Sequence, residues 1–387
     1  MLLRALLDLG CEVRFFSKAS FVDPRGAVGD RAGFRFTDVD NRISDRLRAR
    51  TARIPLVGLA TTRLDVARYN QMLVAAIDRA HLQSPFDVCV WLGDYARGRV
   101  PGLASVSFAQ GPPGTDARSI FRRFSEVSRL SGSAAAWKWR ILAMVRLSRW
   151  GLPRFSLCDA IVVGSSQSRR TLHNVFGIAE SRTTSLPYPI DLETFRPSAP
   201  RIVGGRMKCL WLGRIVPRKR LDLFLDGIAA AIRGGADLEA TIVGSVGFVQ
   251  GYEKLIAAFP FQDRLKWIPS IPRGEVPDML REHDVLIQPS EEEDFGSSVA
   301  EAQACGIPVI VGQTNGNADY LSPMDVCLKS DSPAELAEVL CAMAVREKHS
   351  PETSRAFAEK FYEKNAVATK FVEVLAGAAR NRNAAAT

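Results

Sequence analysis

Pro289-Ser290-Glu291-Glu292-Glu293-Asp294-Phe295-Gly296-Ser297-Ser298-Val299-Ala300-Glu301-Ala302 decides the fold of this chain, because it leads from a buried strand into a helix through a turn that carries carboxylates. The run before it, 284–288, is short and apolar and reads as a strand, and 297–304 reads as a helix that opens just after Gly296. Glu293 then lies on the loop and Glu301 lies inside the helix, with seven residues between them. The first-turn N–H groups at Gly296, Ser297 and Ser298 point at whatever fills the loop. The helix dipole favours an anion there, and a diphosphate fits.

Upstream, Met207-Lys208-Cys209-Leu210-Trp211-Leu212 reads as a strand that runs into Gly213-Arg214-Ile215-Val216-Pro217-Arg218-Lys219 and then an amphipathic helix over 221–232. Two cations, Arg214 and Lys219, leave that strand end far enough apart to grip a polyphosphate from two sides, and Gly213 lets the backbone turn closely past it. A Glu-rich loop by itself is commonly solvated surface, and two cations by themselves fit an ordinary basic loop. It is their joint presence at two strand ends that argues for a site. Gly244-Ser245-Val246-Gly247 after a third strand fits a phosphate contact, or simply a tight turn.

Short apolar strands alternate with helical patterns along the chain, which predicts parallel sheets wrapped by helices. A first unit places strands at 12–16, 87–92, 104–109, 159–163 and 184–186. A second places them at 207–212, 239–243, 265–268, 284–289 and 308–311. The Pro- and Gly-rich stretch 187–208 reads as the linker. The expected organisation is therefore a first Rossmann-like domain over 1–197 and a second over 198–355. Ligands in such sheets gather beyond the carboxyl ends of the strands, so the cleft between the two units is the expected site. With 387 residues and 47% hydrophobic content the chain can bury two cores, and 24% charged residues is ordinary for a globular protein. No apolar run has the length of a membrane span. Seven cysteines, none in a C-x-x-C pair, read as reduced and buried, which suits a cytoplasmic protein.

The set Gly213-Arg214-x4-Lys219, Pro289-Ser290 and Glu293-x7-Glu301 resembles glycosyltransferase family 4, the group 1 retaining glycosyltransferases of GT-B fold. Glu301-Ala302-Gln303-Ala304-Cys305-Gly306-Ile307-Pro308-Val309, Ile242-Val243-Gly244, Cys158-Asp159-Ala160-Ile161-Val162-Val163-Gly164-Ser165, Pro189-Ile190-Asp191 and Phe195-Arg196-Pro197 extend the resemblance over most of the chain. It implies an α/β fold of two doubly wound Rossmann-like domains facing a cleft, and transfer of a sugar from a nucleoside-diphosphate sugar to an acceptor hydroxyl with retention. It also implies that Glu293, Arg214 and Lys219 serve the reacting centre and its leaving group. Glu301 is assigned to the ribose hydroxyls, and Gly213, Gly296, Ser297, Ser298, Gly244 and Ser245 to the rest of the donor. No metal and no cofactor beyond the donor are implied. The helix at 356–375 is expected to cross back onto the first domain, and 376–387 to be disordered.

The family opens with a strand and a Gly-rich loop, whereas here Met1 already lies in the helix that follows them. The resemblance therefore implies that the first strand and its loop are missing from this sequence. Gly93, Asp94, Gln110 and Gly111 stand at strand ends on the acceptor side, with Gln110 near where relatives carry a His. His81, His173, His283 and His349 are single and outside these loops, and read as packing or surface residues.

The net charge of +9 gathers in 121–157, where eight Lys and Arg face the single acid Glu126 among three Trp. One reading is a helix lying on an anionic membrane surface that brings a lipid-linked acceptor to the cleft. The other is a helix packing its apolar stripe on the first domain. No nucleic-acid recognition motif accompanies the charge. The expected setting is bacterial surface-glycan assembly (lipopolysaccharide, capsule or exopolysaccharide) at the cytoplasmic face of the plasma membrane. A nucleotide-sugar-binding scaffold without turnover, and a nucleotide-sugar epimerase, are the alternatives.

Overall fold

A computed structural model describes residues 1–20, 22–39, 55–93, 98–148, 155–197, 205–345 and 350–384; the side chains of 55–63 and of 156 fall outside that set. In the first half, helices α1 (Leu2–Asp8), α2 (Arg25–Val28) and α3 (Pro55–Gln83) accompany strands β1 (Val13–Ser17), β2 (Phe34–Asp38) and β3 (Val88–Leu92). Strand β4 (Ala104–Phe108) leads through α4 (Thr115–Arg122), α5 (Phe124–Ser131) and α6 (Ser133–Leu147) to β5 (Ala160–Val163), α7 (Ser166–Phe176) and β6 (Thr183–Ser185). The second half holds β7 (Met207–Leu212), α8 (Leu221–Arg233), β8 (Leu238–Val243), α9 (Tyr252–Ala257), β9 (Leu265–Ile268), α10 (Val276–Arg281) and β10 (Val285–Gln288). It ends with α11 (Ser297–Ala304), β11 (Val309–Val311), β12 (Val326–Cys327), α12 (Pro333–Ala344), α13 (Pro351–Tyr362) and α14 (Lys364–Ala384).

The second sheet runs β12-β11-β10-β7-β8-β9, and its paired strands are all parallel. Helices cover both of its faces, which is why β10 and β11 are apolar-rich and buried at every position. Helix α8 buries Leu221, Phe224, Leu225 and Ile228 on one stripe and packs on α12. Gly227 permits that approach, since a Cβ there would lie 2.5 Å from the Leu336 side chain.

The first half departs from a single five-stranded sheet. Strands β3-β4-β5-β6 form one parallel sheet, while β1 pairs in parallel with β2 in a separate two-stranded one, from Val13 opposite Phe34 to Ser17 opposite Asp38. Strand β2 was not expected, because Arg35 and Asp38 interrupt its apolar residues; Phe36 stacks on Phe15 of β1 at 6.4 Å between ring centroids. Residues of β1 and β3 line a common cavity of about 3900 Å³, bounded also by Leu6 of α1 and Phe371 of α14, which continues to Glu293 and Arg214.

Helix α14 packs on α1, β3 and β4. Phe371 meets Phe108 edge to face at 5.4 Å, in a core shared with Val106, Val162 and Leu186. Residues 376–384, expected to be disordered, instead continue this helix, and Ala378 is buried. Their small Ala-rich side chains favour helix once a packing surface is present; 385–387 lie outside the described residues. Helices α5 and α6 contribute Val127 and Ala136 to the core of the second unit, beside Trp211, Phe224 and Tyr252. The two units thus share packed surface next to the cleft.

Candidate active site

Strands β7 and β10 are neighbours, so the loops at their carboxyl ends stand side by side. The Glu293 carboxylate on the β10 loop accepts hydrogen bonds from Arg218 Nη1 at 2.9 Å and from Lys219 Nζ, both on the 3-10 turn Pro217–Lys219 after β7. Burial opposes ionisation of Glu293, but the charges of Arg218 and Lys219 and their hydrogen bonds outweigh it, bringing its pKa down to about 2. Burial pulls the Lys219 ammonium below the usual lysine range, with Glu293 acting against it.

Asp116, in the first turn of α4, reaches the same cations from the first unit. It accepts from Arg218 Nε at 2.6 Å and from Arg214 Nη2 at 3.2 Å. A carboxylate of one unit thus occupies two cations of the other. The next turn of α4 repeats the pattern with reversed sign. Arg118 Nε donates to Glu292 at 2.9 Å, Arg122 Nη1 to Glu292 at 2.6 Å, and Arg122 Nε to Glu291 at 3.1 Å. Arg123 also donates to Glu291, which Arg220 reaches from the second unit at 3.1 Å. Spacing of three and four residues brings Arg118 and Arg122 to one helix face.

Asp294 points the other way, into the first unit. Its carboxylate accepts from the Gly164 N–H at the end of β5 at 2.9 Å and from the Tyr188 hydroxyl at 2.6 Å. Burial pushes its pKa up to about 6, against the hydrogen bonds from Ser168, Tyr188 and Gly164. Two glycines make room for it. A Cβ at Gly111 would lie 2.9 Å from Asp294 Cβ, and one at Gly164 would lie 2.8 Å from Asp294 Oδ2.

Among the residues singled out from sequence, Glu293, Arg214, Gly93 and Gln110 line the cavity that fills the cleft. Lys219 is drawn in behind them against Glu293, so it pairs with that carboxylate rather than standing opposite Arg214 across an open anion site. Glu301 is buried under Arg273. Several glycines have structural work instead of ligand-facing groups. The Gly213 N–H donates to the Val243 carbonyl at 2.9 Å and the Gly244 N–H to Ile268 at 2.9 Å, extending the sheet. A Cβ at Gly244 would fall 1.8 Å from the Gly213 carbonyl oxygen. The Gly296 N–H is taken by Asn317 Oδ1 at 2.6 Å and is not offered to a ligand. The Ser245 side chain is exposed beside the Arg214 loop, and the Ser245 carbonyl accepts from the Ile215 N–H at 2.9 Å. Gly111 serves the approach of Asp294. Asp94 lies outside the described residues, as do His349, Arg149, Trp150 and Arg154. His81, His173 and His283 bond to backbone groups of Phe86, Ile178 and Met279. Sequence reasoning missed Arg118, Arg122, Arg218 and Arg273 as site residues; the helical spacing of 118 and 122 was a readable signal. Among the described residues no group of three or more His, Cys, Asp and Glu could hold a metal ion.

Two parallel α/β units that present their strand-end loops to one cleft, with an Arg/Lys loop beside a Glu loop, define the GT-B class of architecture. Residues 195–361 match the family described as Glycosyl transferases group 1. A D-inositol 3-phosphate glycosyltransferase of Thermomonospora curvata is 28% identical over 206 residues, which cover 47% of this chain and 48% of that protein. The chain spans about half the length of the curated relatives it matches. A glycosyltransferase from Rickettsia africae ESF-5 shares the fold with a TM-score of 0.64 at 13% identity, covering 98% of this chain and 93% of the other. Anabaena Alr3699/HepE, solved in complex with UDP, gives 0.57 at 14% identity, covering 95% and 100%.

Proposed function

We propose that the chain transfers a sugar from a nucleoside-diphosphate sugar to an acceptor hydroxyl, with retention and without a metal. The observation that carries this reading is the cluster in which Arg218 and Lys219 hold Glu293 while Arg214 and Arg218 hold Asp116 at the mouth of the cleft. Breaking the anomeric bond leaves negative charge on the diphosphate, and Arg214 and Arg218 meet it once the diphosphate displaces Asp116 from them. Each well-placed donor of this kind contributes roughly 3 kcal/mol to the transition state. The acceptor hydroxyl attacks the face that the diphosphate leaves, and its proton passes to the departing phosphate oxygen. That route requires no strong protein base. The family match, and the UDP bound to a neighbour of the same fold, support a nucleotide donor.

A panel of UDP, GDP and ADP with their common sugar conjugates tests the reading by thermal shift. A ligand at a hundred times its dissociation constant adds about 2.7 kcal/mol of stability. Stabilisation confined to one nucleotide and lost in Glu301→Ala is the expected result; none with any nucleotide sinks it. Donor-dependent release of free nucleoside diphosphate in the presence of acceptor separates a transferase from a scaffold or an epimerase.

Helix α6 supports a lipid-linked acceptor at the inner membrane face. Trp137, Ile141 and Met144 are 52%, 47% and 50% exposed on one stripe, while Ala136 and Ala143 are buried on the packed side. Lys138 and Arg146 beside them are exposed. Arg122 and Arg123, counted toward a basic surface from the sequence, are instead engaged by Glu291 and Glu292. No described helix is long and apolar enough to cross a membrane, so surface docking is the mode this stripe permits. Vesicles containing anionic lipid should retain the protein at low salt, and a Trp137→Ser, Ile141→Ser variant should bind at least tenfold more weakly. Wild-type protein that stays in solution with such vesicles ends the idea.

A further inference from the structure

Two carboxylates hold the cations of the β7 loop, and they are held differently. Glu293 and its partner Lys219 are only 11% and 13% exposed. Asp116 is 28% exposed and its partner Arg214 is 57% exposed, so that pair stands on the water-facing side of the cluster. The Asp116 carboxylate spans two guanidinium groups at once, with Oδ1 accepting from Arg218 Nε at 2.6 Å and Oδ2 from Arg214 Nη2 at 3.2 Å. A phosphate would present its oxygens to the same two donors in the same way. Asp116, Arg214 and Arg218 all line the cavity of the cleft, so an incoming anion reaches these groups directly.

An ion pair open to water is exchangeable, because solvent screens both partners and little net energy holds them together. Glu293 is different, since its release would strand the buried Lys219. Of the two carboxylates, Asp116 is therefore the one that yields to an anion of higher charge. Once freed it remains in the first turn of α4, where the helix dipole favours a negative group. Arg118 and Arg122 on the same helix keep their hold on Glu292 meanwhile, so α4 stays seated and its carboxylate stays within reach of the cations.

We propose that Asp116 is an internal counter-anion of the donor site, which competes with a diphosphate for Arg214 and Arg218 and helps to expel the free nucleoside diphosphate after transfer. This rests on the transferase reading above.

The test is calorimetric titration of wild type and Asp116→Asn with pyrophosphate and with UDP, or with GDP or ADP if the thermal panel selects that base. Asparagine keeps the shape of the side chain and removes its charge. Two part-exposed ion pairs together correspond to about tenfold in affinity, so Asp116→Asn should bind both probes about tenfold more tightly than wild type. The gain should shrink as salt is raised. Asp319→Asn is the control, because Asp319 also joins the two units, accepting from the Ser166 N–H and hydroxyl at 2.6 Å each, but does not line the cavity. It should leave both affinities within about twofold of wild type. A merely structural Asp116 would give equal or weaker binding in Asp116→Asn, and either result overturns the proposal. Equal tightening in Asp319→Asn overturns it as well, since the gain would then come from loosened units. If Asp116→Asn does not fold, Asp116→Ser is read in the same way. Failure of every nucleotide to bind either protein removes the transferase reading and this inference together, whereas a nucleotide bound equally by both removes only the inference.

Discussion

Replacing Glu293 by glutamine is expected to cost about 3–5 kcal/mol of stability in chemical denaturation, as well as activity. Glutamine keeps the shape of the side chain and removes the one charge that Lys219 touches. Lys219 is then left buried with Arg218 beside it and no counter-charge of its own, since Asp116 serves Arg218 and Arg214. A surface ion pair would not carry such a cost, but the Glu293 and Lys219 side chains are only 11% and 13% exposed. The pH dependence gives a second readout. Glu293 has a folded pKa of about 2, below its ordinary value of 4.5. Its contribution is therefore present above the unfolded value and disappears as pH falls from about 4.5 to about 2. The wild-type protein should lose that increment over this window, and Glu293→Gln should lack it. Equal stability of the two proteins at pH 7 would mean that the triad is solvated rather than buried.

Gly316→Ala should be almost as damaging, by about 3 kcal/mol, for a reason unrelated to charge. Gly316 follows β11 on the 3-10 turn Gly316–Tyr320, where its N–H donates to the Glu293 carbonyl at 2.8 Å. A Cβ there would sit 1.9 Å from the Asp294 carbonyl oxygen and 2.6 Å from Ser165 Oγ. The first of these is backbone and cannot swing aside, so the Glu293-Asp294 segment must move away from its place between the units. Gly274→Ala is the matched comparison, because nothing lies within 4 Å of the added carbon. It should change stability by less than about 0.5 kcal/mol. Similar denaturation midpoints for the two variants would refute the close approach at Gly316.

The strands of the second unit were legible because a parallel strand covered by helices on both faces must be apolar throughout, as 285–287 and 309–311 are. Strand β2 was not legible, since a polar residue at every second position suits a half-exposed strand and a loop equally well. The order of sheet partners in the first half was also beyond pattern reading: β1 has the composition of a central strand, yet it pairs with β2 alone among the described residues. Continuation of α14 through Ala384 depended on the surface of α1 and β4 against which it lies.

The sequence by itself determined that this chain is a parallel α/β protein with an Arg/Lys loop and a Glu loop at two strand ends, because strand burial and helix starts are local patterns. Only the tertiary structure decided which charges meet. Arg118 and Glu292 are 174 residues apart in the chain, and Arg273 and Glu301 are 28 apart across two different elements. A charge acts at full strength only over a few ångströms and away from water. Distance and burial are properties of the packed molecule, so Asp116 holding Arg218 and Asp294 reaching Gly164 exist only once the two units have closed on one another, and Arg273 covering Glu301 only once the loops of the second unit have been set in place.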